Sequence, residues 1–139
     1  MLSLKSLNLE DLQMLCQLEN LTDLELGNCD LIEPEDLFSN LAQLPNLRYL
    51  RLEKGRFDLH IGQLAHLPHL RELELIEFEM VQGFREGLVN LQNIRKLLLI
   101  PTYKDEVRFR FSVNLTNFDD FFRFRLQLSM QKLWTRFSH

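Results

Sequence analysis

His66 and His69 stand three residues apart beside Pro68, a spacing that could offer two imidazoles to a zinc ion. A zinc site needs at least three protein ligands, and no third donor converges on this pair, so no metal is expected. No serine or cysteine sits in a pattern that supplies it with a base. No glycine-rich loop follows a strand-like run to cradle phosphate groups. The carboxylates are numerous, yet none forms a pair that stands out from the general acidity. The expectation is a non-enzymatic protein that takes no cofactor.

The two cysteines carry no disulfide framework either. Cys16 lies in the apolar run 12–18 and reads as a core residue. Both thiols are expected free, in a reducing compartment such as cytoplasm or nucleus. Asn20-Leu21-Thr22 and Asn114-Leu115-Thr116 match the glycosylation triplet, but no positive-then-apolar leader opens the chain. No apolar run is long enough to span a membrane, so no transmembrane segment is expected.

What positions the polar residues is a repeat. Leu47-Arg48-Tyr49-Leu50-Arg51-Leu52 is followed by Glu53-Lys54-Gly55-Arg56-Phe57, giving three leucines and then a large apolar residue five positions on. The same pattern returns at 21–31, 70–80 and 94–104, with Lys104 in the last apolar place of the final copy, and with steps of 26, 23 and 24 residues between its first apolar positions. Leu4, Leu7 and Leu9 suit an earlier, shorter copy. The last two leucines of each copy are two apart, so in an extended segment they share one face. Stacked in parallel, the segments would bury Leu24/Leu26, Leu50/Leu52, Leu73/Leu75 and Leu97/Leu99 in one continuous core.

These residues resemble the leucine-rich repeat family over residues 4–104. The resemblance implies an α/β solenoid: a curved parallel sheet of about five short strands, with helices or irregular segments on the convex side. Cys29 falls where this family often places Asn or Cys to tie down the turn leaving the strand. Irregular repeats with such a cysteine are similar to the ribonuclease-inhibitor-like and cysteine-containing classes. They are similar also to the substrate-recognition part of F-box adaptors of ubiquitin ligases.

The connectors differ in kind. Residues 10–20 place Leu12, Leu15 and Leu18 at helical spacing. Glu33-Pro34-Glu35-Asp36 is a helix start, with Leu37, Phe38, Leu41 and Leu44 as the inward stripe. Residues 58–66 predict a single turn or an irregular segment. Residues 80–91 predict a helix facing inward through Phe84, Leu88 and Leu91 despite Gly83 and Gly87. Met1 enters the first repeat with no polar cap before it, so either the chain is a fragment or a partner or domain is expected to cover that end.

Composition changes near Glu106. Residues 1–106 carry 10 Lys/Arg and 18 Asp/Glu, a net of −8, whereas 107–139 carry 6 and 2, a net of +4. Seven of the eleven phenylalanines lie in 107–139. Residues 107–115 alternate as a half-buried strand. Residues 118–137 fit a helix, and 122–130 also fit a second strand. The division is therefore repeats over 1–106 and a basic, aromatic cap or tail over 107–139.

Function is expected on the concave surface that the resemblance implies. One row there is Ser6, Asp23, Tyr49, Glu72 and Lys96; the next is Asn8, Glu25, Arg51, Glu74 and Leu98. A third is Glu10, Gly27, Glu53, Ile76 and Ile100. Arg51 lies between Glu25 and Glu74 and can bridge both, and the surface should grade from acidic to apolar at Ile76, Leu98 and Ile100. That is the anatomy of a protein-binding patch. The alternative is that the tail 107–139 holds nucleic acid or an anionic membrane through its arginines and aromatic rings.

Overall fold

The computed structural model describes residues 1–102 and the backbone of Phe111–Asn114. Each leucine pattern becomes a strand. In chain order they are β1 (Leu2–Lys5), β2 (Asp23–Gly27), β3 (Tyr49–Glu53), the short β4 (Arg56–Phe57), β5 (Glu72–Met80) and β6 (Lys96–Pro101). β1, β2, β3, β5 and β6 lie side by side in one parallel sheet, and β4 pairs in parallel with the far end of β5. The register sets Leu24, Leu50, Leu73 and Leu97 opposite one another, and likewise Leu26, Leu52, Leu75 and Leu99. None of these eight is more than 4% exposed. The expected leucine ladder is the core.

Two backbone devices recur with the strands. The carbonyls of Thr22, Arg48 and Arg71 each accept two N–H groups from the following repeat, at 2.7–3.1 Å. At the other end, the residue after the strand turns left-handed: Ser6 (φ 62°), Asn28 (53°), Lys54 (57°) and, inside β5, Glu77 (49°). Ile76 pairs with Ile100, so the next such place belongs to Pro101. Proline holds φ near −65° and cannot take that turn. The strand instead runs on, and Pro101 pairs with Phe78 through a register shift.

The connectors cover the leucine face. Asn8 starts α1 (Leu9–Leu15) by accepting a hydrogen bond from the Asp11 backbone at 2.8 Å. Pro34 occupies the first turn of α2 (Pro34–Leu41), whose buried residues are Leu37, Phe38 and Leu41. A three-ten helix, Leu59–His66, follows Asp58, whose carboxylate accepts from the His60 N–H. The last is the short helix α3 (Phe84–Leu88). Gly83 precedes it at φ 92°, and a Cβ on Gly87 would meet the Leu59 carbonyl oxygen at 2.5 Å. Those glycines are what lets the segment pack so closely on the three-ten helix. Four rings, Phe38, Phe57, Phe78 and Phe84, contact in series at 5.5, 5.5 and 5.3 Å between centroids.

Some expectations need correction. The first strand uses Leu2 and Leu4, opposite Leu24 and Leu26, and not Leu4, Leu7 and Leu9. The left-handed turn at Ser6 ends the strand, and the Asn8 cap commits Leu9 to a helix. Ser6, Asn8 and Glu10 therefore leave the outward rows, and Ser3 and Lys5 take the places opposite Glu25 and Gly27. α1 stops at Leu15, leaving Leu18 49% exposed. In the second repeat Ile32 enters the core while Leu31 stays 63% exposed. In the fourth, Phe78 is fully buried and Met80 only half-buried, because the turn at Glu77 shifts the side-chain alternation.

The backbone of β7 (Phe111–Asn114) runs antiparallel along β6, pairing Leu97 with Val113 and Leu99 with Phe111. It covers the sheet edge that β6 would otherwise present. The rest of the expected strand 107–115 and the whole of 118–137 lie outside the described residues. Cys16 and Cys29 are both buried and free. Cys29 donates its S–H to the Leu26 carbonyl at 3.4 Å, as its place in the turn implied. Burial raises both thiols, Cys16 to about 11 and Cys29 to about 12, so both stay protonated near neutral pH.

Two measurements check this frame. Leu73→Ala should cost about 2–5 kcal/mol and the outward Glu72→Ala under about 0.5, read as denaturant midpoints. Equal midpoints would mean a wrong register. At the left-handed position, Glu77→Gly should be neutral or stabilising. Glu77→Val should cost about 1–2 kcal/mol, because a β-branched residue resists that conformation.

Candidate functional site

Strand alternation that sends leucines inward sends the residues between them outward. Asp23, Tyr49, Glu72 and Lys96 form one row by register; Glu25, Arg51, Glu74 and Leu98 form the next; Gly27, Glu53, Ile76 and Ile100 form the third. All eleven expected site residues therefore share one face. All are half-buried except Lys96, which is exposed. Carboxylates predominate on β2 and at the start of β5, β3 carries Tyr49, Arg51 and Glu53, and Ile76, Leu98 and Ile100 form an apolar corner.

The hydrogen bonding departs from expectation at one point. Arg51 donates from Nε and Nη2 to Glu53 Oε1, at 3.0 and 2.8 Å, and reaches Glu74 at 3.6 Å. It does not bridge to Glu25. Glu53 lies two residues along the same strand, so the guanidinium fork meets it without crossing the sheet. Among the described residues Glu25 accepts only from Ser3 Oγ, at 3.4 Å. Tyr49 donates its hydroxyl to Glu74 at 3.0 Å, which makes Glu74 the hinge between Tyr49 and Arg51. Lys96 reaches Glu72 at 3.7 Å.

Where the strands enter, the face opens into a recess of roughly 580 Å³ lined by Met1, Thr22, Asp23, Arg48, Tyr49, Arg71, Glu72 and Glu74. Its rim of Thr22, Arg48 and Arg71 was not among the expected site residues. Those residues hold the same place in successive repeats, immediately before the first outward residue, and that periodicity was the signal available. Arg71 donates to the Pro68 and Leu70 carbonyls at 3.1 and 3.2 Å.

Among the described residues no group of three or more His, Cys, Asp or Glu could hold a metal ion. His60 pairs with Asp58 at 2.9 Å on the helix side of the sheet, a contact that belongs to the cap of the three-ten helix. No described helix is long and apolar enough to cross a membrane. No family model, curated protein or solved structure matches the chain.

Burial, and then the hydrogen bond to Glu74, raises the Tyr49 phenol well above its ordinary value of 10.0. The folded chain thus keeps a proton that the unfolded chain releases, so stability should fall as pH rises past about 10. Difference titration of tyrosinate absorbance against Tyr49→Phe should place Tyr49 above the ordinary value. Glu74→Gln should lower it part of the way. A Tyr49 midpoint at or below the ordinary value would dissolve the Tyr49–Glu74–Arg51 group.

Proposed function

We propose that this chain is a leucine-rich-repeat module, a curved solenoid whose outward, concave sheet face binds another protein without catalysis. One observation carries the proposal. Four neighbouring parallel strands hold eleven half-buried or exposed side chains on a single face, acidic at one side and apolar at the other. Such a mixture of apolar area, a tyrosine and an arginine, rimmed by charge, suits a protein partner.

The left-handed residue that follows β1, β2 and β3 and recurs inside β5, and the buried Cys29 tied to the Leu26 carbonyl, support the repeat class. Repeats of irregular length with a cysteine in the turn also suit the substrate-recognition part of a ubiquitin-ligase adaptor. Two buried free thiols suit the cytoplasm or nucleus. The alternative route through 107–139, to nucleic acid or anionic membrane, lies outside the described residues except for β7, whose backbone is engaged with β6.

Affinity capture from lysate with the full chain tests the reading. Arg51→Glu combined with Leu98→Asp should remove specific partners, while Gln63→Ala on the helix side should retain them. Circular dichroism melting should show both variants folded. Retention of the same partners by the folded double variant would end the proposal.

A further inference from the structure

The cations of the outward face are unevenly committed. Arg51 serves Glu53 and Glu74, and Lys96 serves Glu72. Asp23 and Glu25, two apart on β2 and so on the same side of the sheet, have no cation within ion-pair distance among the described residues. Lys5, opposite Gly27, pairs with neither of them. Arg48 shares the recess with Asp23 but forms no ion pair there. A half-buried carboxylate pair therefore stands without a counter-charge at one side of the face. At the other side, Ile76, Leu98 and Ile100 present apolar surface with no charged group among them.

Register gives the distance between these two features. Glu25, Arg51, Glu74 and Leu98 occupy one row on four adjacent strands. Three strand spacings put Glu25 and Leu98 about 14 Å apart. A polypeptide crossing the strands in extended form advances about 3.4 Å per residue, so roughly four residues span that gap. A helix would need about nine residues, at about 1.5 Å each, to cover the same length. The row between is polar and already hydrogen-bonded through Tyr49, Arg51 and Glu74, which gives a crossing backbone donors and acceptors to lie against.

Resting on the protein-binding reading, we propose that the partner segment is an extended, basic peptide. It places an arginine or lysine between Asp23 and Glu25 and an apolar side chain about four residues away on the Ile76–Leu98–Ile100 corner. Arginine suits the carboxylate pair better than lysine. Its planar fork can donate to two acceptors at once, and the ring of Tyr49, next to Asp23 in the row, offers it a stacking surface.

Short fluorescein-labelled peptides in a serine–threonine background test this by anisotropy with the full chain. One carries arginine and leucine at the stated spacing. Others halve the spacing, replace arginine by glutamine or aspartate, or replace leucine by serine. The arginine–leucine peptide should bind at least about tenfold tighter than the aspartate and half-spacing versions, and should weaken with added salt. Asp23→Asn with Glu25→Gln should remove about tenfold of its affinity and leave the glutamine peptide unchanged. Leu98→Ser should weaken both.

Equal or tighter binding of the aspartate peptide, still lost in Leu98→Ser, would overturn the basic partner and leave a protein-binding face standing. If no peptide binds, and the folded Arg51→Glu/Leu98→Asp variant keeps its lysate partners, both readings fall together. Zero-length carbodiimide coupling of Lys132 to Asp23 or Glu25 within the full chain would also overturn the proposal. The face would then be taken by the chain's own basic segment.

Discussion

Parallel edge-to-edge pairing that places leucine over leucine is the constraint on which the rest of this molecule depends. Leu24, Leu50, Leu73 and Leu97 are separated by unequal lengths of chain, yet they meet in one line. A fully buried leucine contributes about 1.5–3 kcal/mol, so a slip of one residue, which would turn every inward side chain outward, is strongly opposed. The carbonyls of Thr22, Arg48 and Arg71, each accepting twice, hold the entry of each strand at the same level. The left-handed residues do the same at the exits. Differences in repeat length are thereby pushed onto the helix side.

That side absorbs them with varied means. A capped helix, a proline-started helix, a three-ten helix and a glycine-bounded turn of helix all cover the same kind of leucine face. The row of four phenylalanines fills the space between strand exits and connectors where leucine alone would leave gaps. Interiors pack to crystal-like density, so such variation requires compensating volume in the core. The consequence for function is a face whose backbone is fixed even though its connectors are irregular.

The outward charges contribute little to stability, and in the proposed binding role they act through recognition. The pairs that Arg51 forms are about one-third exposed on the arginine side, and exposed ion pairs contribute only about 0–1 kcal/mol. What they decide is which carboxylates remain available. By taking Glu53 and Glu74, Arg51 leaves Glu25 and Asp23 without a counter-charge among the described residues, and the face acquires a direction from acidic to apolar.

The leucine spacing alone determined the parallel sheet, the two inward leucines of β2, β3, β5 and β6, and the membership of all eleven outward residues. It could do so because a period of two in a strand leaves each residue only one side to face. The first repeat was misread because Asn8, a helix cap, and Ser6, a left-handed turn, look from spacing alone like outward strand residues. Near Leu31 and Met80 the same logic failed: the three-ten helix Cys29–Leu31 leaves Leu31 exposed and brings Ile32 inward, and the register shift between Ile76 and Phe78 sends Phe78 inward. Arg51's choice of Glu53 over Glu25 belongs to the tertiary structure alone. Both carboxylates are within reach in the register, and only side-chain geometry on the folded face selects between them.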